Sequence, residues 1–431
     1  MDQRGAIIDL SDSRRIVDSI HWSSQINQNY HPAGFFPQDS FSIVYSSENL
    51  NSTKFVPILL KEWFFLVKKD GYLVIDYRPN PICDWRVLEN SMNWLWEKGY
   101  EIVFHGLLGK ELPHVLSSKN ITDFIQTQET QLCSNLNKET LVSPPLPTDV
   151  ASSLGDRYVR FVCKKIRNTT LERDNIDKWT FGIVTNGKRI DWLEKIIDSI
   201  SRQAIPNYEI IICGTCPSSV LRNPKISYLP FNRRDDLGWI TYKKNLIVDK
   251  ARYENMCVIH DRILFSDGWY EGMRKWGNCF EHMSCKVVFN GRRDESDWPC
   301  IDLIIEKNKK KRLFTSSLDY QDWHKDCFVG GSIHIGKRAF FVQHPWPLNI
   351  YWNEGEDFFV SKRLSGSGHI PRFNIHSEVT ALSARFSVLP KIKFTPFSSW
   401  KKLDRFSLKR YVLRIVAIAF RLGNGNSLND L

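Results

Sequence analysis

Three short apolar runs, WTFGIVTNGKR (179–189), YEIIICG (208–214) and ENMCVIHD (254–261), recur between segments with helical periodicity. Runs of this length, rich in Ile and Val, predict strands buried on both faces. DWLEKIIDSISRQ (191–203) predicts an amphipathic helix, and LGWITYKKNLIVDKA (237–251) a second, whose start is marked by Asp235, Asp236 and Gly238. Buried strands joined by crossover helices make a parallel sheet, so the fold class is α/β. Ligands of such sheets bind at the carboxyl ends of the strands. Those ends are Thr185-Asn186, Gly214 and His260-Asp261.

An earlier region has a similar rhythm. FSIVYSS (41–47) predicts a strand, FVPILLKEWFFLVKK (55–69) a helix, GYLVIDY (71–77) a strand after a Gly turn, and VLENSMNWLWEKG (87–99) a helix. YEIVFHG (100–106) and YVRFVCKKI (158–166) predict two more strands. Residues 117–156, rich in Ser, Thr, Asn, Gln and Pro, predict a long polar loop. The strand and helix order through LVKKDGYLVIDY resembles the C-terminal half of class I methyltransferases, over residues 35–166. No Gly-rich turn precedes residue 41, so the half that would hold S-adenosylmethionine is expected to be missing and no such cofactor is expected.

The second region, over residues 179–385, resembles the family-2 glycosyltransferases of GT-A fold. The resemblance rests on an ordered set: Thr185-Asn186-Gly187-Lys188-Arg189 after the first strand, Lys244-Asn245 on a helix, His260-Asp261-Arg262 at a strand end, Gly330-Gly331, and Glu356-Asp357 in WNEGEDFFVSKRL. It implies a Rossmann-like mixed sheet that binds a nucleotide-diphospho-sugar. It also implies donor contacts from Thr185, Asn186, Arg189, Gly214, Lys244, Asn245, His260, Asp261 and Arg262, with inversion at the anomeric carbon.

A nucleotide-sugar leaves as a diphosphate, whose growing charge is commonly neutralised by a divalent cation on carboxylate oxygen. Asp261 is the candidate ligand for Mn2+ or Mg2+, and His376 in FNIHSEVTALS a second. A strand-end acid making only turn hydrogen bonds, and a structural histidine, are the competing readings. Arg262 stands where a second acid is usual in the family, and a guanidinium there could itself meet phosphate. Transfer also needs a base for the acceptor hydroxyl. The resemblance makes Asp357 that base, with Glu356 positioning it, although acids also favour helix N-termini. The resemblance sets Gly330 and Gly331 beside the acceptor pocket, where they would permit close approach of backbone to a sugar; a bare strand turn is the competing reading. Trp352, with Trp323, Trp346 and Tyr351, could stack on sugar faces or fill a core.

Charge and cysteine content bound the rest. The net charge of +11 is concentrated between Lys391 and Arg421, where nine Lys or Arg face one acid, Asp404, and apolar residues recur at helical spacing. This predicts a basic amphipathic helix on an anionic membrane, or a terminal helix packed on its own domain. No recognition motif accompanies the charge, so nucleic acid is not an expected partner. IEKNKKKRLF (305–314) predicts a solvated loop. Ten scattered cysteines, without a secretory leader, predict free thiols in a cytoplasmic protein. Cys213 and Cys216 have redox or half-zinc spacing but no second pair.

Three segments are therefore expected: a degenerate methyltransferase-like α/β region (1–170), a GT-A domain (176–390) and a basic tail (391–431). The expected function is transfer of a sugar to a glycan or lipid-linked acceptor in surface polysaccharide synthesis, at the inner face of the cell membrane. A bifunctional methyltransferase and glycosyltransferase, or a non-catalytic membrane scaffold, are the alternatives.

Overall fold

The computed structural model describes residues 7–10, 20–21, 36, 39–47, 56–78, 99–109, 117–135, 157–167 and 174–383, the last apart from 279, 295, 308–309, 321–325, 353 and 367–368. The predicted helix over 87–98, Trp323 and the basic tail lie outside these residues.

The first domain is a six-stranded sheet ordered β2-β1-β3-β4-β6-β5: β1 Ile7–Asp9, β2 Ile20–His21, β3 Phe41–Ser47, β4 Val67–Tyr77, β5 Tyr100–Gly109 and β6 Tyr158–Lys165. Strands β2, β1, β3 and β4 run parallel, and β6 is antiparallel to both β4 and β5. Strands β1 and β2 extend the parallel sheet before residue 41. Ile7 to Asp9 is fully buried but only three residues long, too short a run to stand out as a strand.

Helix α1, Val56–Leu66, is shorter than predicted. Its last carbonyls, of Phe65 and Leu66, accept from the N–H groups of Asp39 and Ser40, so the chain turns directly into β4. The polar stretch predicted as loop is also corrected, for Ser118–Asn135 forms helix α2. The Ser117 hydroxyl caps the Asn120 N–H at 3.2 Å, and Thr122, Thr127 and Thr130 donate their hydroxyls to carbonyls four residues back. Ile121 and Ile125 supply the buried face. Polar composition concealed a helix docked through Ile121, Phe124 and Ile125 and through the Glu129–Lys164 pair.

The second domain is a nine-stranded mixed sheet ordered β11-β17-β12-β16-β10-β7-β8-β9, with β13 on β12. Its parallel core is β10 (Asn255–His260), β7 (Lys178–Val184) and β8 (Asn207–Gly214), as the apolar runs predict, with β9 (Ile226–Pro230) added at the edge, where no strand was expected. The remaining strands are β11 Ile263–Phe265, β12 His282–Phe289, β13 Arg292–Arg293, β16 Ile333–Lys337 and β17 Arg372–Ala381. Helices α3 (Ile190–Ser201) and α5 (Trp269–Trp276) cover one face, through Leu193, Ile196, Trp269 and Met273. On the other face lie α4 (Ile240–Lys250), α6 (Arg338–Gln343) and α7 (Glu356–Gly366), through Ile247, Phe341 and Val360. The Lys-rich segment predicted as a loop is instead a hairpin, β14 Pro299–Lys307 with β15 Lys310–Ser317. Its apolar flanks, CIDLII and LFTSS, are the β-rich arms that a count of lysines overlooks.

Candidate active site

Strands β7, β8 and β10 end side by side, and their carboxyl ends carry the first half of the site. The parallel ladder continues past the strands: Thr185 N–H donates to the Cys213 carbonyl at 3.1 Å, and Asp261 N–H to the Val184 carbonyl at 3.2 Å. This register sets Thr185 beside Asp261. The Thr185 hydroxyl donates to Asp261 Oδ2 at 2.8 Å and accepts from Gly187 N–H at 3.0 Å, while Arg189 pairs with Asp261 Oδ1 at 3.1 Å. Asp261 is buried whereas the Arg189 side chain is 42% exposed, so the cluster opens toward solvent on the arginine side.

Lys243, which the sequence did not single out, closes this half. Its Nζ donates to the Thr185 carbonyl at 2.8 Å and to Asp235 Oδ1 at 2.6 Å. Gly214 permits the arrangement: it has φ of +136°, and a Cβ there would lie 1.9 Å from the Thr185 carbonyl oxygen.

The second half is built by the turn before β16 and the first turn of α7. Gly331 N–H donates to Asp357 Oδ2 at 2.8 Å, and the Gly331 carbonyl accepts from Lys244 Nζ at 3.1 Å. Lys244 also lies 3.5 Å from Glu356 Oε1. Lys244 and Glu356 are buried and Asp357 is partly so. Burial, and then the Glu356 carboxylate, push Asp357 up to about 6, with Phe358 N–H, Lys244 and Gly331 N–H opposing. Since His260 N–H donates to the Ser332 carbonyl at 3.1 Å, the Gly331 turn abuts the Asp261 strand end. The two halves therefore share one end of the sheet.

Several predicted residues have different surroundings from those expected. Lys244 faces the acid pair, and Asn245 clamps the backbone of Trp346 through its amide in both directions, at 2.9 Å each. Asn186 is exposed, with its Oδ1 accepting from Lys188 N–H. Arg262 donates to the Ser383 carbonyl. His260 is a buried strand residue paired with Val184.

A Cβ at Gly330 would stand 2.7 Å from the Ser296 carbonyl oxygen, so that glycine relieves a backbone contact. Trp346 is core, stacked on Phe341, whereas Trp352 is 52% exposed and donates its backbone N–H to the Gly238 carbonyl. Cys213 is buried, and that burial pushes its thiol up to about 12, which suits a core residue and not a metal or redox thiolate.

His376 lies in β17 beyond Ala381, the partner of Ile263; at the rise of a strand this is roughly 15 Å from the Asp261 end. The structure does not bring the two together, and among the described residues no group of three His, Cys, Asp or Glu side chains could hold a metal ion. A single carboxylate fits a divalent cation that keeps water and takes its other ligands from substrate phosphates. Both oxygens of Asp261 are already engaged, however, Oδ2 by the Thr185 hydroxyl and Oδ1 by the Arg189 guanidinium, so the residues present do not make a ready cation site.

No family model and no curated protein sequence matches the chain. Among solved structures it is similar to GalNAc-T7 with UDP, GalNAc and Mn2+, at 14% identity and a TM-score of 0.37, over 51% of this chain and 45% of that one. It is also similar to the mannosyltransferase PcManGT from Pyrobaculum calidifontis in complex with GDP-Man and Mn2+, at 13% identity and 0.36, over 59% and 77%. A third likeness is to S. aureus TarS 1-349, at 10% identity and 0.34, over 47% and 60%. The chain spans less than half the length of the first and less than two thirds of the third.

Proposed function

We propose that the protein is a glycosyltransferase that moves a sugar from a nucleotide-sugar donor to a glycan or lipid-linked acceptor in surface polysaccharide synthesis. The observation that carries this reading is one sheet end shared by a Thr185–Asp261–Arg189 cluster and an acid pair in which Gly331 N–H holds Asp357 and burial raises its pKa to about 6. The first is suited to a charged leaving group and the second to a proton transfer.

In this reading the partly exposed Arg189 supplies positive charge beside the departing diphosphate, while Lys243 holds the Thr185 backbone and Thr185 fixes the Asp261 carboxylate. Asp357 takes the proton of the acceptor hydroxyl as its oxygen bonds to the anomeric carbon. The bond from that carbon to the diphosphate breaks on the opposite side, which inverts the configuration. Gly331 N–H keeps Asp357 oriented, and exposed Trp352 offers a ring face to the acceptor.

The test is a thermal-shift and hydrolysis screen of the purified chain against a broad nucleotide-sugar panel with Mn2+ or Mg2+. Stabilisation and turnover by at least one donor are expected. No response to any donor sinks the proposal.

For the first domain we propose an architectural role without S-adenosylmethionine. Asp76, at the end of β4, is fully occupied by a two-bond contact from Arg160 and by the Tyr45 hydroxyl. Among the described residues no helix is long and apolar enough to cross a membrane. The tail's sequence supports a peripheral contact with anionic lipid at the cytoplasmic face. Truncation after Leu389 is expected to abolish sedimentation with anionic vesicles.

A further inference from the structure

Helix α1 is apolar over most of its circumference, as befits a helix buried on all sides. Leu59, Leu60, Trp63 and Phe64 enter the core of the first domain, while Ile58 packs against the Trp298 and Phe373 cluster of the second. The same helix carries two charges with almost no exposed surface: Lys61 at 4% and Glu62 at 1%. Such side chains are almost never buried without partners. Lys61 pairs with Glu281, and Glu62 with Arg372. Glu281 immediately precedes β12 and Arg372 opens β17, two strands that run parallel from the Met283 and Arg372 pair. A helix of the first domain is thus pinned by two ion pairs of opposite sense to the starts of two adjacent strands of the second. Any docking that exchanges the partners sets like charges against each other.

The contact continues to the acid pair. Glu281 Oε2 lies 2.8 Å from His369 Nδ1, and His369 donates its backbone N–H to the Leu364 carbonyl, in the last turn of α7, at 2.9 Å. His369 Nε2 lies 3.0 Å from His344 Nε2, beyond the end of α6. The first turn of α7 carries Glu356 and Asp357.

We propose that α1 is an intramolecular brace for α7, with Lys61, Glu62, Glu281 and Arg372 as positioning residues for the acid pair. Its catalytic consequence rests on Asp357 being the base; its mechanical part does not. The first domain, on this view, serves the reaction by fixing the far end of the helix that starts with the acids.

The test uses the full chain with Lys61→Gln or Glu62→Gln, following amide hydrogen exchange together with kcat and donor KM. Exchange of the α7 amides is expected to rise about tenfold while β7 and β8 keep their protection, and kcat to fall with donor KM unchanged. If the single variants do not fold, Glu62→Arg combined with Arg372→Glu is expected to restore both folding and α7 protection. Unaltered α7 exchange in a folded Lys61→Gln chain, or a reciprocal pair no better than Glu62→Arg alone, overturns the brace. Raised α7 exchange in a chain that binds no nucleotide sugar upholds the brace and sinks only the proposed activity.

Discussion

Lys244 and Glu356 face each other 3.5 Å apart inside the second domain, the lysine with no exposed surface and the glutamate with 2%. The same ammonium holds the Gly331 carbonyl, and Gly331 N–H holds Asp357, so one buried cation orders both acids.

Lys244→Met leaves the Glu356 carboxylate buried without its cation. Removing one partner of a buried pair costs about 3–5 kcal/mol, so the denaturation midpoint should drop at unchanged slope. Because Lys244 lowers the Asp357 pKa, the same variant should move the acid limb of the pH–rate profile upward. A limb that stays in place would remove Lys244 from the electrostatics of the base.

A base acts only when deprotonated, so kcat/KM should rise with pH through a midpoint near the value of about 6 for Asp357 and then level off. Glu356→Gln removes the like charge beside it and should carry that midpoint downward. The pH–rate profiles of the two proteins decide the point.

Asp357 also gives a stability prediction of definite sign. Its folded pKa of about 6 exceeds the ordinary Asp value, so its stabilising contribution is complete below that ordinary value and is lost as pH rises through the folded one. At neutral pH the ionised carboxylate therefore costs about 1–3 kcal/mol of folding free energy. Asp357→Asn should abolish transfer, leave donor binding intact and raise the melting temperature at pH 7. A lower melting temperature would contradict it.

Gly331→Ala places a Cβ 2.7 Å from Glu356 Oε1 and 3.2 Å from Asp357 Oδ2. The first turn of α7 must yield, at a cost of about 1–3 kcal/mol for overpacking. Turnover should fall more than donor affinity, as steady-state kinetics with calorimetry of donor binding would show.

Thr185→Val keeps the shape but deletes the hydroxyl that joins Asp261 to Gly187 N–H. Leaving those groups unpaired costs about 1–3 kcal/mol. Donor Kd should rise, and Thr185→Ser should restore it.

The parallel core of β7, β8 and β10 was legible because each strand is a continuous apolar run that stops at a polar residue, although in space β7 lies between β10 and β8. Thr185, Asp261 and the Glu356-Asp357 pair were legible for the same reason, since they stand where such runs or a helix begin or end. What misled was composition: α2 is polar along most of its length and β14–β15 is rich in lysine, yet a docked apolar face and backbone pairing overrule both.

The amino-acid sequence by itself determined that two α/β units follow one another, and which ends of the second unit's strands carry polar groups, because hydrophobic periodicity is a local property. Only the tertiary structure decided which of two adjacent lysines meets which half of the site. Lys243 and Lys244 differ by one step of the helix, about 100°. That rotation turns one toward Thr185 and the other toward Gly331, a distinction visible only once β7 and the turn before β16 flank the same helix. Tertiary structure likewise joined Lys61 to Glu281 across 220 positions of the chain, a separation over which no local pattern can act.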